Sequence, residues 1–172
     1  EMDGLAQFLD HVLANAIWER LDRVGTTFAM DVTAVGPEHL DLKTKTIAGG
    51  GDYRAVSEKG AVPALELDDG GVLTEVGALL QYVADLNPGA GLAPPHGTMD
   101  RYRLVEWINF IATEIHAAFG PLWNSNAAAD VKEATHRQLL NRFGYVAKRL
   151  ASEPFLMGET FTAADAYLYM VL

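Results

Sequence analysis

Three consecutive stretches decide the fold, and they are Ala61-Val62-Pro63-Ala64-Leu65-Glu66-Leu67, Asp68-Asp69-Gly70-Gly71 and Val72-Leu73-Thr74-Glu75. The first predicts an apolar strand, the second an acidic glycine turn, and the third a short strand that ends where a helix begins. Pro63 cannot donate a hydrogen bond to a neighbouring strand, so we expect it at a strand start, at an edge or in a cis bend. A cis bend would turn the backbone N–H and C=O of Val62 outward, where an extended peptide can pair with them. Glu75 and the free N–H groups of the following helix suit the ammonium and carboxylate at the end of such a peptide.

On either side of this hairpin the chain reads as an α/β part followed by a helical part. Apolar residues recur at helical spacing between residues 5 and 24, and residues 28–32 alternate as in a half-buried strand. The hairpin leads into a helix over about 75–86, and the Gly- and Pro-containing stretch 89–97 predicts a linker. Three helices are expected beyond the linker, and they cover about 98–123, 130–150 and the residues from Thr162 onward.

The last of these helices has a clear start signal in Phe161-Thr162-Ala163-Ala164-Asp165. This pattern predicts a capping box, in which the Asp165 carboxylate accepts from the N–H of Thr162 while the Thr162 hydroxyl accepts from the N–H of Asp165. We interpret it as a folding signal rather than a functional site. The apolar run 167–172 that follows would be exposed without further helices to cover it. We therefore expect the helical domain to be truncated at its C-terminus.

Composition excludes more than it identifies. The 172 residues are 49% hydrophobic, which is enough for one compact unit or two small domains. A net charge of −10 argues against nucleic acid as a partner. The absence of cysteine excludes disulfides and fits a reducing compartment, and no long uncharged apolar run occurs, so we expect a cytoplasmic protein outside the membrane. The five histidines show no metal-binding spacing, so no metal site is expected.

The hairpin and several later motifs together resemble the glutathione transferases of the bacterial beta class. The motifs are Asp41-Leu42-Lys43-Thr44-Lys45, Asp52-Tyr53-Arg54-Ala55-Val56, Lys59-Gly60-Ala61-Val62-Pro63-Ala64-Leu65, Leu73-Thr74-Glu75, Leu80-Gln81-Tyr82-Val83-Ala84-Asp85, Arg101-Tyr102, Glu106-Trp107-Ile108-Asn109-Phe110-Ile111-Ala112-Thr113-Glu114-Ile115-His116 and Phe161-Thr162-Ala163-Ala164-Asp165-Ala166-Tyr167-Leu168. The resemblance covers roughly residues 39–172. It implies an α/β, thioredoxin-like N-terminal domain and an all-α C-terminal domain. The implied boundaries are 1–88 for a glutathione-binding domain that is atypical over 1–38, 89–97 for the linker and 98–172 for the helical domain.

The resemblance also implies which residues bind glutathione. The Val62-Pro63 segment would pair with the cysteine backbone of glutathione, and Glu75 would hold its amino-acid end. Val76 stands where the family usually has Gly or Ser, so its N–H remains while a hydroxyl contact is lost. Lys45 matches a lysine that meets the glycine-end carboxylate, although a solvated loop lysine is an equally good interpretation.

The predicted helix 98–123 has a polar stripe. Tyr102, Asn109, His116 and Trp123 are spaced by sevens, and Thr113 adjoins them at helical spacing. The opposite, apolar face is expected to supply the core, and it consists of Leu104, Trp107, Ile108, Ile111 and Ile115.

Within the stripe, the resemblance gives His116 and Asn109 positions in the active-site cleft. His116 would act on the glutathione thiol, since neutral histidine accepts protons near pH 7. A hydrogen-bonded interface histidine is the alternative. Asn109, with Thr113 beside it, would reach the glutathione of a partner subunit in a homodimer. Phe119 and Trp123 would line the pocket for a hydrophobic electrophile.

The residue that usually activates the sulfur is missing. In the family this residue is Tyr, Ser or Cys, and residues 1–52 contain none of the three. The ungapped match places Arg20 at the position of the beta-class cysteine, where a solvated helix face is the simpler interpretation. Two functions therefore remain. The first is a transferase that conjugates the glutathione thiolate to electrophilic small molecules, and the second is a non-catalytic glutathione- or ligand-binding protein.

Overall fold

The computed structural model describes residues 40–41, 46–47, 51–67 and 69–172. The predicted helix 4–24 and strand 28–32, together with Arg20 and Lys45, lie outside the described residues. The chain divides into two compact units, one of which ends at Tyr82 while the other contains Val83–Leu172. This division falls inside a helix rather than in the stretch 89–97, and the domain boundaries given above remain predictions.

In the described part of the unit that ends at Tyr82, the strands form two small antiparallel sheets. Strand β1 (Leu40–Asp41) pairs with β2 (Thr46–Ile47), and β3 (Ala64–Glu66) pairs with β4 (Val72–Thr74). In the second sheet Leu65 is buried and lies opposite Leu73. The predicted hairpin is therefore confirmed.

The hairpin turn and the helix after it follow from local chemistry. Gly70 adopts a φ of 80° and donates its N–H to the carbonyl of Leu67, while the N–H of Leu67 bonds back to Gly71. This left-handed conformation favours glycine, as the sequence pattern predicted. Helix α1 (Val76–Leu86) begins one residue after β4, and its residues Leu79 and Ala84 are buried.

The described residues of the second unit are mainly helical, and the helix that starts at Met99 is more complex than its sequence predicts. Helix α2 (Met99–Phe110) continues as a wide π-helical segment (Ile111–His116), a tight 3₁₀ turn (Ala117–Phe119) and the short helix α3 (Gly120–Trp123). The expectation of one regular helix to Trp123 is therefore wrong. Pro121 lies in the first turn of α3 and has no N–H to continue the preceding ladder, which gives a reason for the break. Seven-residue spacing consequently does not define a single stripe beyond Phe110.

Helices α4 (Ala129–Leu150) and α5 (Ala163–Val171) follow in this unit and pack on the π-helical segment. The predicted apolar face supplies the core, and its fully buried members are Leu104, Ile108, Ile111 and Ile115. Trp107 is the exception, because it stays half-buried and packs with Phe110 and Tyr145.

The capping box at the start of α5 is confirmed. The Asp165 carboxylate is fully buried and accepts from the N–H of Thr162 at 2.8 Å, from the Thr162 hydroxyl at 2.9 Å and from the N–H of Leu156 at 2.8 Å. The bond from Leu156 ties the preceding loop to the helix. Burial raises the pKa of Asp165 above its usual range, against the opposing effect of these donors.

The expectation for the apolar run 167–172 needs correction. Tyr167 and Leu168 are buried, whereas Tyr169, Met170 and Leu172 are exposed. The difference follows the helical period, because residues 167 and 168 lie on the side of α5 that packs against the π-helical segment and α2.

A polar network holds the stretch that precedes α2. The Arg101 guanidinium is almost fully buried and bonds both oxygens of Asp85 at 2.8 Å, and it also donates to the carbonyl of Pro94 at 3.2 Å. His96 reaches the same carboxylate at 2.8 Å. The hydrogen bond from Arg101 lowers the pKa of Asp85 below its ordinary value, with its charge and that of His96 acting in the same direction.

Candidate functional site

The Val62-Pro63 segment is held from its N-terminal side by two buried hydroxyls. Tyr53 and Ser57 donate to the carbonyl of Ala61, at 3.0 and 3.2 Å, and their residues are only 1% and 2% exposed. The Val62-Pro63 bond is cis, one of the geometries expected from the sequence. Val62 itself is 45% exposed, and its N–H and C=O have no hydrogen-bond partner in the described part of the chain. An anchored loop thus presents an open backbone edge.

Glu75 lies at the same end of the hairpin as Val62. The register pairs Ala64 with Thr74, so Val62 and Glu75 flank the open end of β3 and β4. Glu75 has a φ of 73°, a left-handed conformation that only this non-glycine residue adopts among those described. Its carbonyl accepts from the N–H groups of Ala78 and Leu79, so it forms the start of α1.

The first turn of α1 leaves backbone donors beside Glu75. Within the described residues, the N–H groups of Val76 and Gly77 have no partner, as is usual at a helix start without a side-chain cap. These donors and the positive end of the helix dipole favour an anion. The Glu75 carboxylate beside them favours a cation. Together they suit a zwitterionic group.

Lys59 is a residue of this region that sequence reasoning missed. Its ammonium contacts the Glu75 carboxylate oxygen Oε1 at 2.6 Å and the Thr74 hydroxyl at 3.3 Å, and both charged side chains are more than half exposed. From the sequence alone, Lys59 stands out only as part of the motif Lys59-Gly60-Ala61-Val62-Pro63. Its ion pair with Glu75 joins residues 16 positions apart, so no local sequence pattern indicates it.

In the helical unit, the three predicted residues His116, Phe119 and Trp123 come together. The imidazole lies edge-on to Trp123 with ring centroids 6.0 Å apart, and Trp123 stacks on Phe119 at 5.8 Å. Trp123 is 69% exposed and His116 is half-buried, so the aromatic surface is open on one side. These residues form an apolar, accessible wall with one titratable group.

Two members of this aromatic cluster were not predicted. Phe143 of α4 packs against Phe119 at 6.3 Å, and Tyr167 of α5 lies edge-on to His116 at 5.8 Å. The Tyr167 hydroxyl is 3.0 Å from Nδ1 of His116. Both come from helices far along the chain, so no spacing rule connects them to the stretch 98–123.

Asn109 and Thr113 are not connected to this cluster by any hydrogen bond described for them. Both are exposed, and the Thr113 hydroxyl donates to the carbonyl of Asn109 at 3.0 Å. None of the bonds described for these two residues reaches His116. Their predicted roles in glutathione binding remain predictions, as do those of the other site residues.

Comparison with known proteins gives the family. Residues 37–91 match the sequence model of the family described as "Glutathione S-transferase, N-terminal domain", and residues 110–172 match that of the C-terminal domain. Together the two matches cover more than half of the chain. Glutathione S-transferase GstA of Escherichia coli O157:H7 is 44% identical over 133 residues, which are 77% of this chain and 66% of the relative. The chain belongs to the glutathione S-transferase family.

Solved structures of other family members agree. A sphingomonad glutathione S-transferase, solved in complex with glutathione, has a TM-score of 0.74 and 40% identity. The bacterial beta-class glutathione S-transferase of Sphingomonas chungbukensis has a TM-score of 0.73 and 39% identity. Each match covers 77% of this chain and 66% of the other. The predicted fold class and the likeness to the beta class are therefore confirmed.

The chain covers no more than about two thirds of the length of these relatives. The activity, substrates and partners of the whole protein are therefore proposals. In the described part of the chain no helix is long and apolar enough to cross a bilayer.

Proposed function

We propose that this member of the glutathione S-transferase family conjugates the thiolate of glutathione to electrophilic small molecules. One arrangement supports the proposal best. The open backbone of Val62, the Glu75 carboxylate and the N–H groups of Val76 and Gly77 lie at one end of the same hairpin. This set offers partners for an extended peptide that ends in an amino acid with a free ammonium and a free carboxylate, which is the chemistry of glutathione.

In the proposed complex, Val62 pairs with the cysteine backbone of glutathione through two main-chain hydrogen bonds. The ammonium binds Oε2 of Glu75, since the contact with Lys59 is made by Oε1. The glutathione carboxylate next to this ammonium accepts hydrogen bonds from the first N–H groups of α1. Lys45 meets the carboxylate at the other end of the peptide. Support for glutathione as co-substrate comes from the sphingomonad relative, whose structure contains it.

The chemistry requires a thiolate, because the thiolate and not the thiol is the nucleophile. A free thiol has a pKa of about 8.5, and each unit by which a site lowers it corresponds to about 1.4 kcal/mol. One or two well-placed hydrogen-bond donors are therefore sufficient. We assign the thiol-directed role to His116, and the apolar wall of Phe119 and Trp123 to the electrophile.

A second candidate function is a protein that binds glutathione or an apolar ligand without catalysis. The observation that favours it is the lack of Cys, Ser and Tyr in residues 1–52 of the chain. The two candidates share the binding site and differ in turnover.

Glutathione binding is tested by calorimetry on the wild type and the Glu75→Ala variant. Loss of the carboxylate leaves an ammonium without its charged partner, so the affinity should fall by about 1.5–3 kcal/mol, or roughly 10- to 150-fold. Glu66→Ala is a matched control, because Glu66 is an exposed glutamate of the same hairpin. Equal affinities of the wild type and Glu75→Ala would exclude this binding mode.

Turnover is tested with a generic aromatic electrophile. His116→Ala should lower the rate about 10²-fold, the low end of general acid–base contributions, while the affinity for glutathione stays close to that of the wild type. His136→Ala, a change at another half-buried histidine of the helical unit, should leave the rate unchanged. A wild-type rate equal to that of buffer, in a preparation that binds glutathione, would support the non-catalytic candidate instead.

We also propose that the protein is a homodimer that uses the stretch around Asn109 and that it is cytoplasmic. The exposed side chains of Asn109 in α2 and Thr113 in the π-helical segment, and the likeness of the chain to a beta-class transferase, support the dimer. Light scattering at micromolar concentration tests it, and a protein that stays monomeric would refute it.

A further inference from the structure

Tyr167 and His116 form a contact that the proposed chemistry has not used. The Tyr167 hydroxyl lies 3.0 Å from Nδ1 of His116, across 51 residues of sequence. Tyr167 is only 3% exposed, so its ring is enclosed by the helical unit. The two rings meet edge to face at an interplanar angle of 80°. Because the hydroxyl contacts Nδ1, the other ring nitrogen of His116, Nε2, is not part of this bond.

Both partners are carried by rigid elements. The first turn of helix α5 contains the buried Asp165, which accepts three hydrogen bonds and lies two residues before Tyr167. His116 is the last residue of the π-helical segment, and its neighbour Ile115 is fully buried. The π-helical segment packs directly on α5. Wide turns of this kind are frequent at functional sites, where they reposition a side chain relative to a regular helix.

The direction of the hydrogen bond follows from the two groups. A phenol O–H is a stronger donor than a neutral imidazole N–H, and an unprotonated imidazole nitrogen is a better acceptor than a phenol oxygen. We propose that Tyr167 is a positioning residue that donates to Nδ1 of His116 and so holds the neutral imidazole in the tautomer with its proton on Nε2. The hydrogen bond made by one ring nitrogen of a neutral histidine determines whether the other ring nitrogen carries the proton.

This tautomer defines how His116 can act, and that part of the inference rests on the proposed function. With hydrogen on Nε2, the neutral ring can donate a hydrogen bond to a thiolate. A donor to the charged form lowers the pKa of the thiol, in the way that hydrogen bonding favours any ionised group. The opposite tautomer would present a lone pair at Nε2 and would act as a base. We therefore infer that neutral His116 stabilises the glutathione thiolate as a donor.

The tautomer can be measured without any activity. Nuclear magnetic resonance of ¹⁵N-histidine-labelled protein, above about pH 8 where ordinary histidines are neutral, distinguishes a protonated Nε2 from a protonated Nδ1. The His116 resonances should show hydrogen on Nε2 and an accepting Nδ1. Tyr167→Phe should move the Nδ1 resonance toward that of a nitrogen without a donor, while Tyr169→Phe, at an exposed tyrosine of the same helix, should not. A proton on Nδ1 of the wild type would overturn the proposal, and so would an unchanged Nδ1 in Tyr167→Phe.

The donor role is measured on bound glutathione by the ultraviolet absorbance of its thiolate. Tyr167→Phe should reduce the thiolate fraction at neutral pH several-fold, and His116→Ala should reduce it further. His116→Gln should retain part of it, because the amide N–H can donate but cannot serve as a base. A His116→Gln variant with as little thiolate as His116→Ala would overturn the donor role. A wild type that forms no glutathione complex would instead refute the proposed function and leave the tautomer measurement valid.

Discussion

Two carboxylates stand at helix starts in this protein and have opposite surroundings. Asp165, in the first turn of α5, is fully buried and accepts from two backbone N–H groups and one hydroxyl. Glu75, directly before α1, has a side chain that is 69% exposed and contacts Lys59 at the surface. Asp165 takes part in the cap of α5, whereas the Glu75 side chain does not cap α1, whose first N–H groups have no partner among the described residues.

The difference separates a folding residue from a ligand-binding residue. A fully buried carboxylate with all its bonds inside the protein is not accessible to a ligand, and removal of it leaves buried donors without partners. An exposed carboxylate at a left-handed, non-glycine residue stabilises the fold little. Unusual backbone conformations of this kind cluster at functional sites, where the surrounding structure holds them in place.

The largest effect is expected for Asp165→Ala. Loss of the carboxylate leaves the N–H groups of Leu156 and Thr162 buried without their acceptor, so the free energy of unfolding should fall by about 3 kcal/mol. Denaturant unfolding measures the change, and Asp165→Asn, which keeps one acceptor oxygen, should lose less if the alanine variant does not fold. Glu75→Ala should change the stability by less than about 0.5 kcal/mol. Equal losses in the two alanine variants would remove the distinction between the two carboxylates.

A third carboxylate, Asp85, sharpens the comparison through pH. Its partner Arg101 is nearly buried, so Asp85→Asn should lower the stability by about 2 kcal/mol at neutral pH, as expected for a charged hydrogen bond. The pKa of Asp85 lies below its ordinary value of 3.8 in the folded state. The stabilisation is therefore complete above pH 3.8 and is lost as the pH falls through the lower, folded-state pKa. Unfolding curves of the wild type and Asp85→Asn should converge in that acidic range, and a constant difference down to the lowest pH would contradict this account.

Much of the fold was predictable because its signals are local. The hairpin 61–74 was visible in a run of apolar residues, a glycine turn and a second run, and each of these features depends on a few neighbouring residues. The capping box at Thr162 and Asp165 is equally local. The apolar face from Leu104 to Ile115 was also found, because the wide turns of the π-helical segment begin only at Ile111 and keep the last two apolar residues inward.

The parts that could not be predicted depend on distant residues. Nothing near Lys59 indicates that its ammonium meets Glu75, and nothing near His116 indicates a bond to Tyr167. Helical spacing placed Tyr102, Asn109, His116 and Trp123 on one stripe, but a regular period does not survive the change from α- to π- and 3₁₀-helical turns. The pairing of side chains from separate helices is set by packing, which the sequence pattern of one helix does not contain.

The smallest effect is expected from the backbone of Glu75, and it tests whether this residue is held in its conformation at the expense of stability. Its φ of 73° lies in the left-handed region, where a residue with a Cβ is disfavoured relative to glycine by about 1 kcal/mol. Glu75→Gly and Glu75→Ala both remove the carboxylate and the contact with Lys59, so their difference reports only the conformation. Glu75→Gly should therefore be more stable than Glu75→Ala by about 1 kcal/mol in denaturant unfolding, while both bind glutathione equally weakly. The same pair of changes at Glu66, which lies in a regular strand, should give the opposite order, because glycine weakens a strand interior. If alanine were the more stable residue at both positions, the left-handed conformation would carry no strain, and the contrast with Asp165 would rest on exposure alone.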